Sequence, residues 1–301
     1  MRSLLAIIDC DGWAYARRAG ALLKYAPRGW RVTIADDWVT EGAMRDCVLL
    51  LDYARCERFA RIAFCRGVPL VTTFSADCGR RLEWFGRIAR LSDWVVCLSR
   101  ERFERRGHVE NCSFIPAGVD LDDFGVDAPP AERPDRALFF ARRERDENKG
   151  VEIVRRLQPL ALAAGFEVAV CVGPPAFDTA GMRACYNGAA YVLCASRSEA
   201  TANCVMEGAA CGCVPVSTPV GTLRDCGHDG ADCVLVKDRS AEAMLDGLLR
   251  ARRDRPRLAA GAAEMARRYD YRPLVQAYWG KVIGPLASGR TPRMFWQPLK
   301  D

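Results

Sequence analysis

Short apolar runs alternate with longer amphipathic stretches along almost the whole chain of 301 residues. This order is typical of α/β proteins, in which crossover helices join parallel strands. The first half contains five apolar runs that predict strands, at residues 4–8, 31–35, 47–51, 69–74 and 94–98. Helical periodicity lies between them at residues 13–25, 56–65 and 81–90. The chain is therefore expected to begin with a doubly wound, Rossmann-type domain.

A proline-rich connector separates this series from a second one. Residues 128–134 are Ala-Pro-Pro-Ala-Glu-Arg-Pro, which is typical of a segment between domains. After it, the sequence predicts strands at 137–141, 167–172, 190–195, 214–217 and 233–236, and helices at 150–164, 202–211 and 241–252. We expect domains over residues 1–130 and 131–268, and a helix over 269–301 that returns to the first domain. Two such domains hold a ligand in the cleft between them.

The composition indicates a protein that folds in a reducing compartment. No run approaches the ~18 continuous apolar residues that a membrane span needs. The 15 cysteines are odd in number and never spaced Cys-x-x-Cys, which favours neither a zinc site nor a disulfide framework. Only two histidines occur, which disfavours histidine-based triads and metal sites. We therefore expect a cytoplasmic protein without a bound metal.

Basic residues are concentrated between Arg80 and Arg106, in a chain whose net charge is +6. One interpretation is a solvated helix face. The other is a surface for an anionic partner, either nucleic acid or membrane headgroups. Within this stretch Phe85 and Ile88 lie at helical spacing, and the neighbouring Trp84 is expected to pack in the core.

The run of residues 196–216 is the part of the sequence that most clearly suggests chemistry. It leaves a predicted strand, passes the small residues Ala200 and Ala202, and enters a predicted helix. The first amides of such a helix suit a phosphate. Glu207 lies inside the helix, two turns after Glu199, where a carboxylate can accept two hydrogen bonds from a cis-diol such as ribose. The alternative is that Glu199 only caps the helix and Glu207 is simply exposed.

This segment resembles the Glu-x7-Glu motif of the GT4-type retaining glycosyltransferases, which have the GT-B fold. Glu199 and Glu207 match the two glutamates, and Asn203 matches the asparagine often found between them. Flanking elements are similar in the same order. They are Pro-Ala-Gly-Val-Asp at 116–120, Phe-Phe-Ala-Arg-Arg at 139–143, Lys-Gly at 149–150 and Ser-Thr-Pro-Val-Gly at 217–221. The similarity extends from about residue 94 to residue 240.

The resemblance implies two facing Rossmann-type domains, the first for the acceptor and the second for a nucleotide-sugar donor. It implies that Glu199 contacts the transferred sugar and that Arg142 and Lys149 neutralise the departing diphosphate, with Arg143 as a substitute for Arg142. The other donor-binding residues that it implies are Ala200, Thr201, Ala202, Asn203 and Glu207, the last on the ribose. It implies no metal or cofactor, because fixed cations and amides can stabilise the leaving group. Retention of the anomeric configuration is implied by the family alone.

Three features depart from the family pattern. Ser75 stands where the family strand often ends in histidine, and the nearby Asp77 is the candidate to act in its place. The usual strand and helix between the Val-Gly element at 172–173 and the strand before Glu199 are not found, which leaves the nucleotide base undetermined. The glycine-rich loop after the first strand is reduced, with Gly12 left to allow close backbone approach to a ligand.

The sequence predicts a glycosyltransferase that moves a sugar from a nucleoside-diphosphate sugar to a hydroxyl acceptor with retention. The acceptor is a glycan, a lipid-linked intermediate or a hydroxymethylated base in DNA. The last option arises because the small size and the Asp-Gly-Trp-Ala opening at 11–14 resemble compact phage and prophage glycosyltransferases. Alternative functions are a GT-B nucleotide-sugar epimerase or phosphorylase, and a non-catalytic GT-B-like binding module.

Overall fold

The computed structural model of the chain describes residues 1–9, 14–38, 45–75, 82–106, 109–173 and 178–289. The chain divides into two compact units. Unit 1 consists of Met1–Ala117 and Arg272–Asp301, and unit 2 consists of Gly118–Tyr271.

Unit 1 contains a parallel sheet of six strands in the order β2-β1-β3-β4-β5-β6. The strands are β1 Arg2–Ile7, β2 Trp30–Ala35, β3 Cys47–Leu50, β4 Leu70–Phe74, β5 Trp94–Cys97 and β6 Cys112–Phe114. The helices between them are α1 Ala14–Lys24, α2 Cys56–Cys65, α3 Leu82–Leu91 and α4 Arg100–Glu104. The strand order reverses direction between β1 and β3, which is the doubly wound pattern.

The strands of unit 1 are apolar because a parallel sheet is covered on both faces. Every residue of β3 and β4 is buried. Phe85 of α3 and Phe59 of α2 belong to one apolar cluster with Phe74 of β4, and the rings of Phe74 and Phe85 lie 5.3 Å apart. Trp84 was expected in this core, but it is 45% exposed. It lies one position outside the apolar stripe of α3 and therefore faces solvent.

Unit 2 contains a parallel sheet of five strands in the order β11-β10-β9-β7-β8. The strands are β7 Arg136–Ala141, β8 Glu167–Val172, β9 Tyr191–Cys194, β10 Val214–Ser217 and β11 Val234–Leu235. The helices are α5 Val151–Ala163, α6 Thr179–Asn187, α7 Asn203–Ala210, α8 Thr222–Cys226, α9 Ala241–Arg253 and α10 Arg255–Arg267. Since all strands are parallel, the loops after β7, β9 and β10 emerge at one edge of the sheet, where ligands bind in such folds.

The described chain ends in two helices, α11 Tyr271–Tyr278 and α12 Gly284–Ala287, joined by a π-helical turn. In this turn Trp279 packs against Trp30 of β2, with ring centroids 4.7 Å apart. The contact ties the C-terminal segment to the sheet of unit 1.

The predicted fold class, two doubly wound α/β domains, is confirmed. The units divide after Ala117, however, and not at the proline-rich connector near residue 130. The reason is packing that the sequence does not reveal. Phe124 stacks edge-on against Tyr186 at 6.0 Å, and Asn187 donates a hydrogen bond to the Gly125 carbonyl at 3.0 Å, so this segment folds with unit 2.

Two expectations from composition can be compared with the described residues. All 13 cysteines among them are free, and eight of these are buried, as expected of small core residues. None of the described helices combines the length and apolar character that crossing a bilayer requires.

Candidate functional site

The junction between β9 and α7 places Glu199 at the carboxyl edge of the unit 2 sheet. The loop that joins them is anchored by Thr218, whose hydroxyl donates to the carbonyl of Ser196 at 2.6 Å. The residue preceding the helix is Ala202, which makes no side-chain capping bond. The first amides of α7 therefore receive no capping acceptor from this side chain and remain suited to an anion.

Lys149 and Glu199 form the central ion pair of this site. Lys149 Nζ lies 2.5 Å from Glu199 Oε1, and the Ser196 hydroxyl donates to the same oxygen at 2.7 Å. Both bonds end on Oε1, so among the described residues no side chain donates to Oε2. This geometry contradicts the alternative that Glu199 only caps the helix. It combines a fixed cation with a carboxylate oxygen that can accept a hydrogen bond from a ligand.

The Lys149 ammonium is held in its charged form. Burial lowers the pKa of Lys149, but the attraction of the Glu199 carboxylate and its hydrogen bond with Lys149 outweigh this effect, and the pKa lies above its usual value. A raised pKa means that the stability from this charge is fully present below the unfolded-state pKa, and is lost only as pH rises through the folded-state pKa. Lys149 is therefore cationic throughout the neutral range.

The loop that carries Lys149 is fixed to the end of β9. Gly150 adopts a positive φ of 77°, and a Cβ at this position would lie 2.6 Å from the Ala195 carbonyl oxygen. The Asn148 side chain donates to the Ser198 carbonyl at 2.9 Å. Arg239 donates to the carbonyls of Ala195 at 2.6 Å and Asn148 at 3.0 Å. Together, these contacts of Gly150, Asn148 and Arg239 hold the loop so that Lys149 lies opposite Glu199.

Glu207 is buried inside α7, with 5% of its surface exposed. This contradicts the alternative that it is a simple surface residue. Its Oε2 accepts a hydrogen bond from the Tyr186 hydroxyl at 3.0 Å. Tyr186 belongs to α6, which lies between the Val-Gly element at 172–173 and β9. The expectation that the usual helix is missing from this region is therefore wrong. The sequence did not predict this helix, because its apolar pattern is weak. Its start depends on the side chain of Asp178, which accepts a hydrogen bond from Gly181 N at 2.8 Å.

The small residues at the start of α7 lie where the sequence predicted them. Ala200 and Ala202 are buried, and Thr201 and Asn203 are partly exposed. Gly221, which has a φ of 54°, packs against them, since a Cβ there would lie 3.2 Å from the Thr201 Cα and 3.1 Å from the Glu199 Cβ. The tight packing fixes the approach to the helix.

The other predicted site residues are located separately. Arg142 and Arg143 follow β7 directly and are exposed. Gly12 and Asp77 lie outside the described residues. In unit 1, Ser75 at the end of β4 lies 2.6 Å from the Tyr15 hydroxyl of α1. Tyr15 and Tyr186 are thus polar partners of predicted site positions that the sequence reasoning missed. The expected absence of a metal stays a prediction, although no metal-type cluster of three or more His, Cys, Asp or Glu occurs in the part of the chain described.

Comparison with known proteins connects this site to a family. Residues 137–254 match the family described as Glycosyl transferases group 1. The match contains Lys149, Glu199 and Glu207. A search of curated proteins gave no match.

Solved structures resemble the whole chain at low sequence identity. Sucrose-phosphate synthase from Thermosynechococcus elongatus superimposes with a TM-score of 0.73 at 14% identity, over 96% of this chain and 100% of that one. HepE from Anabaena, in complex with UDP and glucose, gives 0.72 at 12% identity, over 94% and 99%. A glycosyltransferase from Rickettsia africae gives 0.64 at 12% identity, over 95% and 98%. The chain therefore has the predicted GT-B fold, and residues 137–254 of its second unit match the model of the Glycosyl transferases group 1 family.

Proposed function

We propose that this chain, which combines the GT-B fold with a group 1 glycosyltransferase domain, moves a sugar from a nucleoside-diphosphate sugar to a hydroxyl acceptor. The observation that carries the proposal is the Lys149–Glu199 pair, with Nζ and Oε1 2.5 Å apart, at the start of α7. A departing nucleoside diphosphate accumulates negative charge. A fixed ammonium and the amides of a helix N-terminus stabilise that charge without reorganising.

The donor is proposed to be held at two points. The diphosphate lies against Lys149 and the first amides of α7, and Arg142 or Arg143 supplies a further cation from the exposed turn after β7. The sugar donates a hydroxyl hydrogen bond to Oε2 of Glu199. The ribose lies at Glu207, whose carboxylate is oriented by the Tyr186 hydroxyl at 3.0 Å.

Uracil is the base that we propose to test first. Structures similar to this chain include HepE with UDP and glucose and HepE with UDP-glucose. We further propose that transfer proceeds with retention, because the Glu199 and Glu207 spacing resembles the motif of retaining enzymes. Unit 1 is proposed to bind the acceptor, either a glycan, a lipid-linked intermediate or a hydroxymethylated DNA base.

Donor turnover tests this proposal. The protein is incubated with a panel of nucleoside-diphosphate sugars, beginning with UDP-glucose, and release of the nucleoside diphosphate is followed. We expect turnover of at least one donor. We expect Lys149→Ala and Glu199→Gln to lower it by about 10²-fold or more, the effect of removing one preorganised charge from an active site.

The matched control is Glu167→Gln, which removes a surface carboxylate paired with Arg136 at 2.9 Å in the same unit. It should leave turnover unchanged. If no donor in the panel is consumed or raises the thermal stability of the protein, the proposed function is wrong. If turnover occurs but Lys149→Ala and Glu199→Gln match wild type, the site assignment is wrong.

The stereochemistry and the acceptor need separate readouts. Proton NMR of the product reports the anomeric configuration, and an inverted product would contradict retention. Labelled donor offered with glycans, with lipid extract and with hydroxymethylated DNA identifies the acceptor class by the fraction that becomes labelled.

A further inference from the structure

Arg18 of α1 is a buried arginine, and two of its guanidinium nitrogens have no hydrogen-bond partner within the described structure. Only 2% of its surface is exposed, and no described residue accepts a hydrogen bond from its Nε or Nη1 atoms, both of which are buried. Burying a guanidinium without acceptors is costly, because the group loses its hydration and gains nothing in return.

A buried arginine of unit 2, Arg133, has hydrogen-bond acceptors within the chain. Arg133, with 5% of its surface exposed, donates to the carbonyls of Tyr186, Ala189 and Ala128 and to the side chain of Asn187, at 2.7 to 3.3 Å. In unit 2 the fold therefore provides several acceptors for a buried arginine. Arg18 lacks them, which indicates that its acceptor comes from elsewhere.

A contact between Tyr15 and Ser75 joins the helix that carries Arg18 to the carboxyl end of β4. Tyr15 lies three residues earlier, on the same face of α1, and its hydroxyl lies 2.6 Å from Ser75 Oγ. Thr73 lies two residues before Ser75, and so on the same side of the strand. Thr73 is completely buried, and its hydroxyl has no hydrogen-bond partner among the described residues. The Tyr15–Ser75 contact thus joins the two elements that carry Arg18 and Thr73, each of which has unpartnered buried atoms in the described structure.

Among the described residues, no carboxylate accepts a hydrogen bond from Nε or Nη1 of Arg18. The negative charge of Asp52 contributes to raising the pKa of Tyr15. The Asp52 carboxylate, however, already accepts hydrogen bonds from Arg55 Nε at 3.0 Å and from the Ala54 amide at 3.1 Å. Burial raises the pKa of Tyr15, and the positive charge of Arg18 opposes that rise, which places the guanidinium near the phenol.

We infer that unit 1 contains an oxyanion site at the carboxyl end of β4, in which Arg18 supplies the charge and Thr73, Ser75 and Tyr15 supply hydroxyls. The ligand is a phosphoryl or carboxylate group, since both present the oxygens that a guanidinium and hydroxyls bind. The carboxyl ends of parallel strands are where such folds bind ligands. We assign this anionic group to the acceptor, which therefore carries a negative charge. This assignment rests on the proposed function.

A second buried arginine of unit 1, Arg102, provides a matched control. It is 1% exposed, and its three guanidinium nitrogens are also unpartnered within the described structure, but the group lies over the Phe85 ring at 5.5 Å. An aromatic face partly offsets a buried cation. Arg102→Met therefore removes a buried arginine from the same unit without touching the proposed site.

Calorimetric titration with inorganic phosphate tests the inference. It is carried out on the full chain carrying Lys149→Met, so that phosphate bound at the donor site is not counted. We expect saturable binding that is weakened about tenfold or more by Arg18→Met and about three- to tenfold by Thr73→Val, and that is unchanged by Arg102→Met. Absence of binding, or equal losses in Arg18→Met and Arg102→Met, would overturn the inference.

Two further arms complete the test. A parallel titration with acetate separates the sources: tighter phosphate binding indicates a phosphoryl ligand, tighter acetate binding a carboxylate, and binding of neither overturns the site. Without ligand, Arg18→Met should unfold at the same temperature as its parent or higher, because an uncompensated buried charge is removed. A clear loss of stability would instead indicate a structural arginine, and Thr73→Val keeps the binding test valid in that case.

The outcome is separable from that of the proposed function. If phosphate binds through Arg18 but no donor is turned over, the anion site stands and the transferase proposal fails. If donors are turned over but phosphate does not bind in unit 1, the reverse holds.

Discussion

At the scale of single residues, the buried carboxylate of Glu207 explains why a tyrosine belongs to the candidate donor site. Glu207 is almost inaccessible, and the Tyr186 hydroxyl donates to it at 3.0 Å. A buried carboxylate without donors is costly, so the tyrosine both stabilises the fold and fixes the direction of the remaining oxygen lone pairs. Glu207 was predictable from its spacing to Glu199, whereas Tyr186 was not, because its contact depends on how α6 packs against α7.

Tyr186→Phe tests this role. Loss of a hydrogen bond to a buried charged group should lower the free energy of unfolding by about 1.5–3 kcal/mol. It should also raise the donor KM several-fold, because the Glu207 carboxylate, which we propose binds the ribose, loses its orientation. Denaturant unfolding and donor kinetics measure the two effects.

The chain offers a matched tyrosine as the control. Tyr191→Phe removes a hydroxyl that donates to Asp135 at 2.8 Å, also in unit 2 but at the start of β9. It should lower stability without changing the donor KM. A KM that is unchanged in Tyr186→Phe, or raised equally in both variants, would contradict the assignment of Glu207 to the ribose.

At the scale of elements, the loop before α5 determines where Lys149 lies. Gly150 precedes this helix with a φ of 77°, and a Cβ there would lie 2.6 Å from the Ala195 carbonyl oxygen, so the loop packs closely against the segment after β9. Gly165 follows the same helix with a φ of 84°, but a Cβ there would meet only the end of a flexible arginine side chain, at 3.8 Å. The two glycines have similar backbone angles and different surroundings.

Alanine substitution at these two glycines separates backbone strain from the position of Lys149. Gly165→Ala should lose about 1–2 kcal/mol of stability, the cost of a left-handed conformation for a residue with a Cβ. Gly150→Ala should lose more, because its Cβ would also lie 2.6 Å from the Ala195 carbonyl oxygen. Only Gly150→Ala should also lower donor turnover, by about tenfold or more, because its Cβ displaces the loop that carries the ammonium. Equal turnover in the two variants would show that the close contact with β9 is unimportant for activity.

Most elements were predictable because their periodicity was strong. The β-strands of both sheets were expected within a few residues, since strands buried on two faces are continuous apolar runs. The three-residue strand β6 was not expected, because so short a run has no period to detect. The helix α6 was missed because Gly, Asn and polar residues dilute its apolar face. The helices α4, α8 and α10 were not predicted either. The first two have only five residues each, and the buried face of α10 consists largely of alanines, which give a weak apolar pattern.

At the scale of the whole molecule, sequence predicted two α/β units but not where they divide. The proline-rich connector was the strongest local signal, yet the structure assigns Gly118 onward to unit 2. A local signal reports backbone preference, whereas a domain boundary is set by contacts between distant residues such as Phe124 and Tyr186. The central claim is also at this scale, namely that the donor nucleotide is bound by unit 2 through Lys149.

The dissociation constant of UDP, measured by calorimetry on the full chain, tests that claim most directly. Lys149→Met should raise it by about tenfold or more, equivalent to at least about 1.4 kcal/mol of lost binding free energy. Arg66→Met, which removes an exposed cation of unit 1, is the control for net charge and should leave the constant unchanged. A dissociation constant in Lys149→Met equal to that of wild type, or increases of the same size in both variants, would contradict the account.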